Sequence, residues 1–125
     1  MLPILALARQ RNHAVEVGSL LGASTRIIAR HFTNVTSVDA YAAGYDPEDL
    51  NAGAVRLAIA RDAFALRFFD EPGVAQLRMR SRDACALFAN ETLDLVYIDA
   101  GHNYEAVRRD LECWLPKLRA GGGAT

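Results

Sequence analysis

Three acidic residues stand where an apolar, β-branched run comes to its end, and these positions could carry chemistry. Glu16, Asp39 and Asp99 each belong to such a run, and His102 follows the last of them. A carboxylate at a strand end can accept hydrogen bonds from hydroxyl groups, serve as a general base or bind a metal ion. His102 could join Asp99 as a base or a ligand, and a loop residue or helix cap is the equally weighted alternative.

A glycine loop follows the first of these runs. Glu16 is two residues before Gly18, and Ser19 and Gly22 lie in the loop before a helical pattern opens at Ser24. Strand, loop and helix in this order can present backbone N–H groups to a nucleotide-like ligand. The spacing is not that of a dinucleotide fingerprint, and a carboxylate would repel a diphosphate. The loop with its carboxylate suits a ligand that has an adenosine-like part and a sulfonium. S-adenosylmethionine is such a ligand, and NAD is disfavoured. A plain strand–turn–helix is the alternative.

Two further acids fit the same ligand. Asp39 follows Gly18 by about twenty residues, where an acid can accept hydrogen bonds from two ribose hydroxyls. Asp83 comes just after a third strand and could accept from an adenine amino group. The alternatives are an ordinary strand-end carboxylate for Asp39 and a helix N-cap for Asp83, and a cap can serve both purposes.

The elements that must position these residues alternate between strand and helix along the chain. The patterns predict an α/β, Rossmann-like, doubly wound fold, with a mainly parallel sheet of about four strands, a stub of a fifth and helices on both faces. One domain over 1–125 is expected. The predicted strands cover 14–18, 35–41, 74–81 (at an edge) and 93–100, with a stub at 123–125; the predicted helices cover 3–11, 24–32, 48–70, a short stretch opening at Asp83, and a stretch from about 105 to a glycine stop at 121–123.

Composition excludes several classes of protein. The 125 residues carry a net charge of −1 with no basic run, so nucleic acid is not a predicted partner. No apolar stretch is long enough to cross a membrane. Cys85 and Cys113 match no metal spacing, and both are expected to be small buried residues in helices. A cytoplasmic location is therefore predicted.

Taken in order, the motifs resemble those of class I S-adenosylmethionine-dependent methyltransferases. They read Val-Glu-Val-Gly-Ser-Leu-Leu-Gly-Ala-Ser-Thr, Ser-Val-Asp-Ala-Tyr, Asp-Leu-Val-Tyr-Ile-Asp-Ala-Gly-His-Asn-Tyr-Glu and Asp-Leu-Glu-Cys-Trp-Leu-Pro-Lys-Leu-Arg-Ala-Gly-Gly. The chain is most similar to the small-molecule branch whose fourth strand ends in Ile-Asp-x-x-His-x-Tyr. The resemblance covers nearly the whole chain from Ala14 onwards.

The resemblance implies a role for each site residue. Glu16, Gly18 and Ser19 would line the methionine and ribose portions of the cofactor, Asp39 would hold the ribose hydroxyls and Asp83 would face the adenine. Asp99 would lie near the reacting centre, in some relatives as a ligand of a divalent metal such as Mg²⁺, with His102 close by. The expected reaction is methyl transfer to a small-molecule hydroxyl, as on a sugar or phenol.

The sequence departs from the family in length, because members continue through a fifth strand, another crossover and a hairpin. Further metal-binding acids and most of the acceptor pocket belong to those parts. A non-catalytic Rossmann-like module, or a subunit completed by a partner, is therefore the alternative hypothesis. An uncovered edge on the fourth strand predicts self-association.

Overall fold

The computed structural model of the chain describes residues 11–18, 22–40, 54–99 and 104–124. Five parallel strands form one sheet in the order β3-β2-β1-β4-β5. The strands are β1 (His13–Val17), β2 (Asn34–Val38), β3 (Val74–Leu77), β4 (Leu93–Ile98) and β5 (Leu118–Ala124). The chain runs outward from β1 to β3 and then returns to the other side of β1, so the strand order reverses between β1 and β4. Ligands of open α/β sheets bind outside the carboxyl ends of the strands at such a switch point.

Among the described residues, four helices connect the strands, and a short 3₁₀ turn leads into β5. They are α1 (Ala23–Ala29), α2 (Ala54–Phe68), α3 (Ser81–Cys85) and α4 (Tyr104–Trp114), with the 3₁₀ turn at Leu115–Lys117. The first begins one residue before the helix predicted over 24–32 and ends three residues earlier, and the second falls inside the helix predicted over 48–70, of which residues 48–53 lie outside the described residues. The helix predicted over 3–11 falls, apart from residue 11, outside the described residues.

The sheet is buried on both faces, which explains why its central strands are almost continuously apolar. Successive side chains of a strand point to opposite faces, so Val15 and Val17 join one core and Ala14 joins the other. The first core consists of Val15, Val17, Val38, Ala84, Cys85, Leu93, Val96 and Trp114. The second consists of Ala14, Ile28, Phe32, Val35 and Leu95. The Rossmann-like α/β fold predicted from the sequence is therefore confirmed.

The fifth strand is longer than the predicted stub. It covers Leu118–Ala124 and includes the three glycines that were expected to end the preceding helix. Leu93 pairs with Leu118, and Leu95 pairs with Gly123 across an irregular register. Because β5 pairs with β4, the edge of β4 is not uncovered as predicted, and self-association stays a prediction.

The cysteines form a disulfide, so the expectation of two unpaired residues was wrong. Cys85 ends α3 and Cys113 lies in the last turn of α4, with their Cα atoms 6.4 Å apart. Both helices pack on the same face of the sheet, which brings together two residues separated by 28 positions in sequence. The pairing removes the argument that pointed to a reducing compartment, and a cytoplasmic location remains a prediction.

The amino end of the sheet is held together by a buried carboxylate on β4. Asp94 is 1% exposed, and its Oδ2 accepts hydrogen bonds from the backbone N–H of Asn12 at 2.8 Å and of His13 at 3.0 Å. Arg119 Nε and Asp94 Oδ1 form an ion pair at 2.8 Å, although the relative orientation of the two groups falls outside hydrogen-bond geometry. Asp94 thus connects the starts of β1, β4 and β5.

None of the described helices combines the length and the apolar character that crossing a bilayer requires.

Candidate functional site at the carboxyl edge of the sheet

Gly18, Asp39 and Asp99 lie side by side at the carboxyl edge of the sheet. Each is the first residue after its strand, and Val17 pairs in register with Val38 on one side and Ile98 on the other. The crossovers that sequence patterns predicted therefore bring these three residues to the switch point between β1 and β4.

The backbone N–H groups of these three residues are used within the sheet. Gly18 donates to Val38 O at 2.8 Å, Asp39 donates to Leu77 O at 3.1 Å, and Asp99 donates to Val17 O at 2.8 Å. The N–H of Gly18 is thus committed to β2. Chemistry at this edge must come from the side chains and from the segments that follow.

The two strand-end acids differ in exposure. Asp39 is half-buried, and Asp99 is exposed. A half-buried carboxylate is suited to holding a ligand hydroxyl in a fixed place, since solvent competes less for it. An exposed one can reach a second molecule that arrives from solvent.

Two glycines at the ends of the 18–22 segment adopt backbone conformations that other residues rarely take. Gly18 has a φ of 92° and Gly22 a φ of 87°. Gly22 is also the N-cap of α1, and a Cβ at this position would lie 2.5 Å from Phe68 Cε2 and 3.0 Å from Phe64 Cδ2. Gly22 therefore lets α1 start close against the aromatic side chains of α2.

The carboxylate of Glu16 lies under α1 rather than in open solvent. It is 1% exposed, and Thr25 Oγ1 donates a hydrogen bond to Glu16 Oε1. Thr25 Oγ1 also lies 3.3 Å from Ser37 Oγ. The assignment of Glu16 to the positive end of a cofactor stays a prediction, and the structure adds a contact with α1 that the sequence did not indicate.

A tyrosine on β4 completes this polar group. Tyr97 pairs in register with Glu16 and packs against the core that contains Ile28 of α1. Burial raises the pKa of the Tyr97 phenol, the charges of Asp99 and Glu16 raise it further, and the Ser24 hydroxyl of α1 opposes the rise. Four residues, named here the Glu16 cluster, thus lie between the sheet and α1: Glu16, Thr25, Ser37 and Tyr97.

Sequence reasoning missed Thr25, Ser24 and Tyr97 as contributors to the site. One signal was present, because Glu16 and Tyr97 each come two residues before a residue at the carboxyl edge. Such positions on neighbouring parallel strands share a face of the sheet, and a buried acid there requires a hydrogen-bonding partner.

Asp83 does not cap α3. The helix begins at Ser81, the N-cap position is Arg80, and no side chain caps the helix. Asp83 is exposed in the first turn, where its negative charge interacts favourably with the helix dipole. The cap prediction was therefore wrong, and contact with an adenine stays a prediction.

Two predicted site residues, Ser19 and His102, lie outside the described residues. Among the residues that are described, no three side chains of histidine, cysteine, aspartate or glutamate come together as a metal-binding group. The role of Asp99 as a metal ligand thus has no described partners and stays a prediction.

Comparison with known proteins places this architecture in a family. The family model for a methyltransferase domain matches residues 15–123. The chain therefore belongs to the methyltransferase-domain family, as the resemblance of its motifs predicted. No functionally curated protein matches the sequence.

Solved structures of low sequence identity share the fold. A Corynebacterium glutamicum protein has 18% identity and a TM-score of 0.67, with 98% of this chain and 54% of that one aligned. The N-methyltransferase NodS from Bradyrhizobium japonicum, in complex with S-adenosylhomocysteine, has 18% identity and a TM-score of 0.64, covering 98% and 56%. Spermidine synthase from Thermotoga maritima has 12% identity and a TM-score of 0.66, covering 93% and 38%. The chain thus spans between 38% and 56% of the length of these structures.

Proposed function

We propose that this chain binds S-adenosylmethionine at the carboxyl edge of its sheet and transfers a methyl group to a hydroxyl oxygen of a small molecule. The observation that carries the proposal is the convergence of Gly18, Asp39 and Asp99 at the switch point, in a chain of the methyltransferase-domain family. The complex of NodS with S-adenosylhomocysteine supports the choice of cofactor for this fold.

The cofactor would be held mainly through side chains. Asp39 would accept hydrogen bonds from the two ribose hydroxyls, and the exposed Asp83 would accept from the adenine amino group. Gly18, Ser19 and Gly22 would border the methionine portion, with the charge of Glu16 beneath it. The half-buried position of Asp39 supports its role, because hydrogen bonds to a partly desolvated carboxylate are among the stronger ones.

Bound S-adenosylmethionine supplies a methyl group on a sulfonium, from which an acceptor oxygen can displace a neutral thioether in line. An O–C bond forms, an S–C bond breaks with its electron pair going to sulfur, and the acceptor proton needs a base. Asp99 is exposed beside Gly18 and can take that proton, with His102 as the second candidate.

A divalent metal such as Mg²⁺ is the alternative way to activate the hydroxyl. The carboxylate of Asp99 offers oxygen ligands of the kind that Mg²⁺ prefers. The residues described here supply no group of three ligands around it, so no step of the proposed reaction is routed through a metal.

Oxygen is proposed as the acceptor because of the Ile-Asp-x-x-His-x-Tyr motif at 98–104. The similar structure NodS is an N-methyltransferase, so a nitrogen acceptor is the competing outcome. Small molecules are the proposed partners, rather than nucleic acid or a membrane, because the net charge is −1.

A transfer assay tests the proposal. The chain is incubated with methyl-labelled S-adenosylmethionine and panels of phenols, sugars and amines, with Mg²⁺ or with EDTA. We expect label on a phenol or sugar hydroxyl, and a loss of about 10²- to 10⁴-fold in kcat for Asp99→Asn with little change in the KM of the cofactor. Label found on amines alone would contradict an oxygen acceptor. Cofactor binding without transfer to any panel would favour the non-catalytic module.

A further inference from the structure

We propose that Thr25 is a positioning residue for the cofactor, because it holds the first turn of α1 on the sheet directly beneath the carboxyl edge. This inference rests on the proposed function for its consequence in binding. Its structural basis is independent of any ligand.

The first element of the argument is that the side chain of Thr25 in α1 contacts two different strands. Thr25 donates to the carboxylate of Glu16 on β1, and its Oγ1 lies 3.3 Å from Ser37 Oγ on β2. Glu16 pairs in register with Ser37 on one side and with Tyr97 of β4 on the other. The first turn of α1 is therefore fixed at the cross-strand pair of Glu16 and Tyr97.

The second element is the place of that pair. Glu16 is two residues before Gly18, and Tyr97 is two residues before Asp99. Glu16 and Tyr97 thus lie two residues before the edge at which the cofactor is proposed to bind. The chain leaves the sheet at Gly18 and re-enters regular structure at Gly22. A shift of α1 would therefore move Gly22.

The third element is the burial of the cluster. Glu16, Thr25 and Ser37 are each at most 1% exposed. A hydrogen bond to a charged group contributes about 1.5–3 kcal/mol, and an unpaired buried charge costs more, so this arrangement has few alternatives. Apolar packing of Ile28 alone would hold α1 on the sheet, but it would not fix the rotation of the first turn as directed bonds do.

Matched variants test the inference. Thr25→Val removes one donor to Glu16 with almost no change in shape, and Thr25→Ser keeps it. Ser37→Ala removes the contact with the Thr25 hydroxyl and leaves the bond to Glu16 in place, so it serves if Thr25→Val fails to fold. Ile28→Val is the control, because Ile28 is a buried residue of the same helix outside the Glu16 cluster and its truncation costs about 0.5–1.5 kcal/mol of stability.

Two readouts separate positioning from general stability. The first is the affinity for S-adenosylhomocysteine by calorimetry, for which we expect a loss of about tenfold in Thr25→Val, corresponding to one charged hydrogen bond. We expect about threefold in Ser37→Ala and no more than about twofold in Thr25→Ser and Ile28→Val, since the last two variants keep both contacts of the hydroxyl at position 25. The second is NMR of the ligand-free chain, in which the amide signals of Gly22 and Arg26 are followed. The N–H of Arg26 donates to Gly22 O at 3.0 Å.

The amide signals of Gly22 and Arg26 should shift, with faster hydrogen exchange at Arg26, in Thr25→Val and Ser37→Ala but not in Ile28→Val. Unchanged signals in Thr25→Val and Ser37→Ala would overturn the inference, as would an equal loss of affinity in Ile28→Val. If the wild-type chain does not bind S-adenosylhomocysteine, the proposed function fails, while the ligand-free NMR readout still decides whether Thr25 positions α1.

Discussion

The two ends of β4 carry the same residue type in opposite circumstances. Asp94, near the start of the strand, is 1% exposed and is surrounded by two backbone N–H groups and Arg119. Asp99, just after the strand, is exposed beside Gly18 and Asp39. The burial and the bonding partners of each aspartate therefore show that Asp94 stabilises the structure and that Asp99 is available to a ligand. The residue type alone does not distinguish these two roles.

The amino end of the sheet is closed by side chains from several strands. His13 Nε2 lies 2.9 Å from Thr36 Oγ1, its ring contacts Phe88, and Arg119 Nη2 donates to Thr92 O at 2.9 Å. The carboxyl end is instead built from strand-end acids and glycines with positive φ. Substitutions at the amino end should thus change stability, and substitutions at the carboxyl end should change binding.

The largest expected effect is that of Asp94→Ala. It would leave Arg119 without its buried partner and two backbone N–H groups without an acceptor, so we expect the free energy of unfolding to fall by about 3–5 kcal/mol. Urea unfolding followed by circular dichroism measures it. Asp99→Ala on the same strand is the matched control and should stay within about 0.5 kcal/mol of wild type. Similar losses in both variants would contradict the contrast between the two ends.

Asp39→Ala should have the largest effect on binding. Loss of two hydrogen bonds from ribose hydroxyls to a carboxylate corresponds to at least about 3 kcal/mol, or more than a hundredfold in the affinity for S-adenosylhomocysteine. Calorimetry measures the affinity, and Asp39→Asn, which keeps one acceptor oxygen, should lose less. Undiminished affinity in Asp39→Ala would remove the ribose assignment.

Gly22→Ala should have an intermediate effect. It combines an unfavourable φ with a close contact between the new Cβ and Phe68, and we expect a loss of about 1–3 kcal/mol in stability. Thermal unfolding measures the loss. Adding Phe68→Leu should recover the steric part and leave the backbone part, whereas purely additive losses would show that the two residues are not in contact.

The smallest expected effect is a pH dependence at the amino end. Burial lowers the pKa of His13 below its ordinary value, although Asp94 partly opposes this. As the pH falls, the unfolded chain therefore takes up the His13 proton before the folded chain does. The contribution of neutral His13 to the free energy of unfolding is complete above about pH 6.5 and is lost as the pH falls through the pKa of His13 in the folded chain. Chemical unfolding between about pH 8 and about pH 5 should show a steeper loss for wild type than for His13→Gln. Equal slopes would mean that His13 is not buried as described.

Much of the fold could be predicted because the central strands are buried on both faces. Runs such as those around Val15 and Val96 are apolar apart from one acid each, Glu16 and Asp94, and the parallel crossovers then place Asp39 and Asp99 at one edge. The full length of β5, beyond the stub predicted at 123–125, escaped prediction because its three glycines have low strand propensity and form a strand only through pairing with β4. The disulfide escaped prediction because a separation of 28 residues does not indicate which faces of two helices will meet.

The site was predicted less completely than the fold. Asp39 and Asp99 reach the carboxyl edge, since their positions depend only on strand ends. The contact of Glu16 with Thr25 depends on how α1 packs against the sheet, which no pattern in the sequence specifies. Tyr97 likewise looked like one more apolar strand residue, although it lies beside Glu16 in the register of β1 and β4.

The central claim is that the carboxyl edge of this sheet holds S-adenosylmethionine. A calorimetric titration of the 125-residue chain with S-adenosylhomocysteine tests it most directly. The account predicts saturable one-to-one binding at about micromolar affinity, or roughly −8 kcal/mol, which is strongly weakened in Asp39→Ala and retained in Asp94→Asn. A folded chain that takes up no S-adenosylhomocysteine would contradict it.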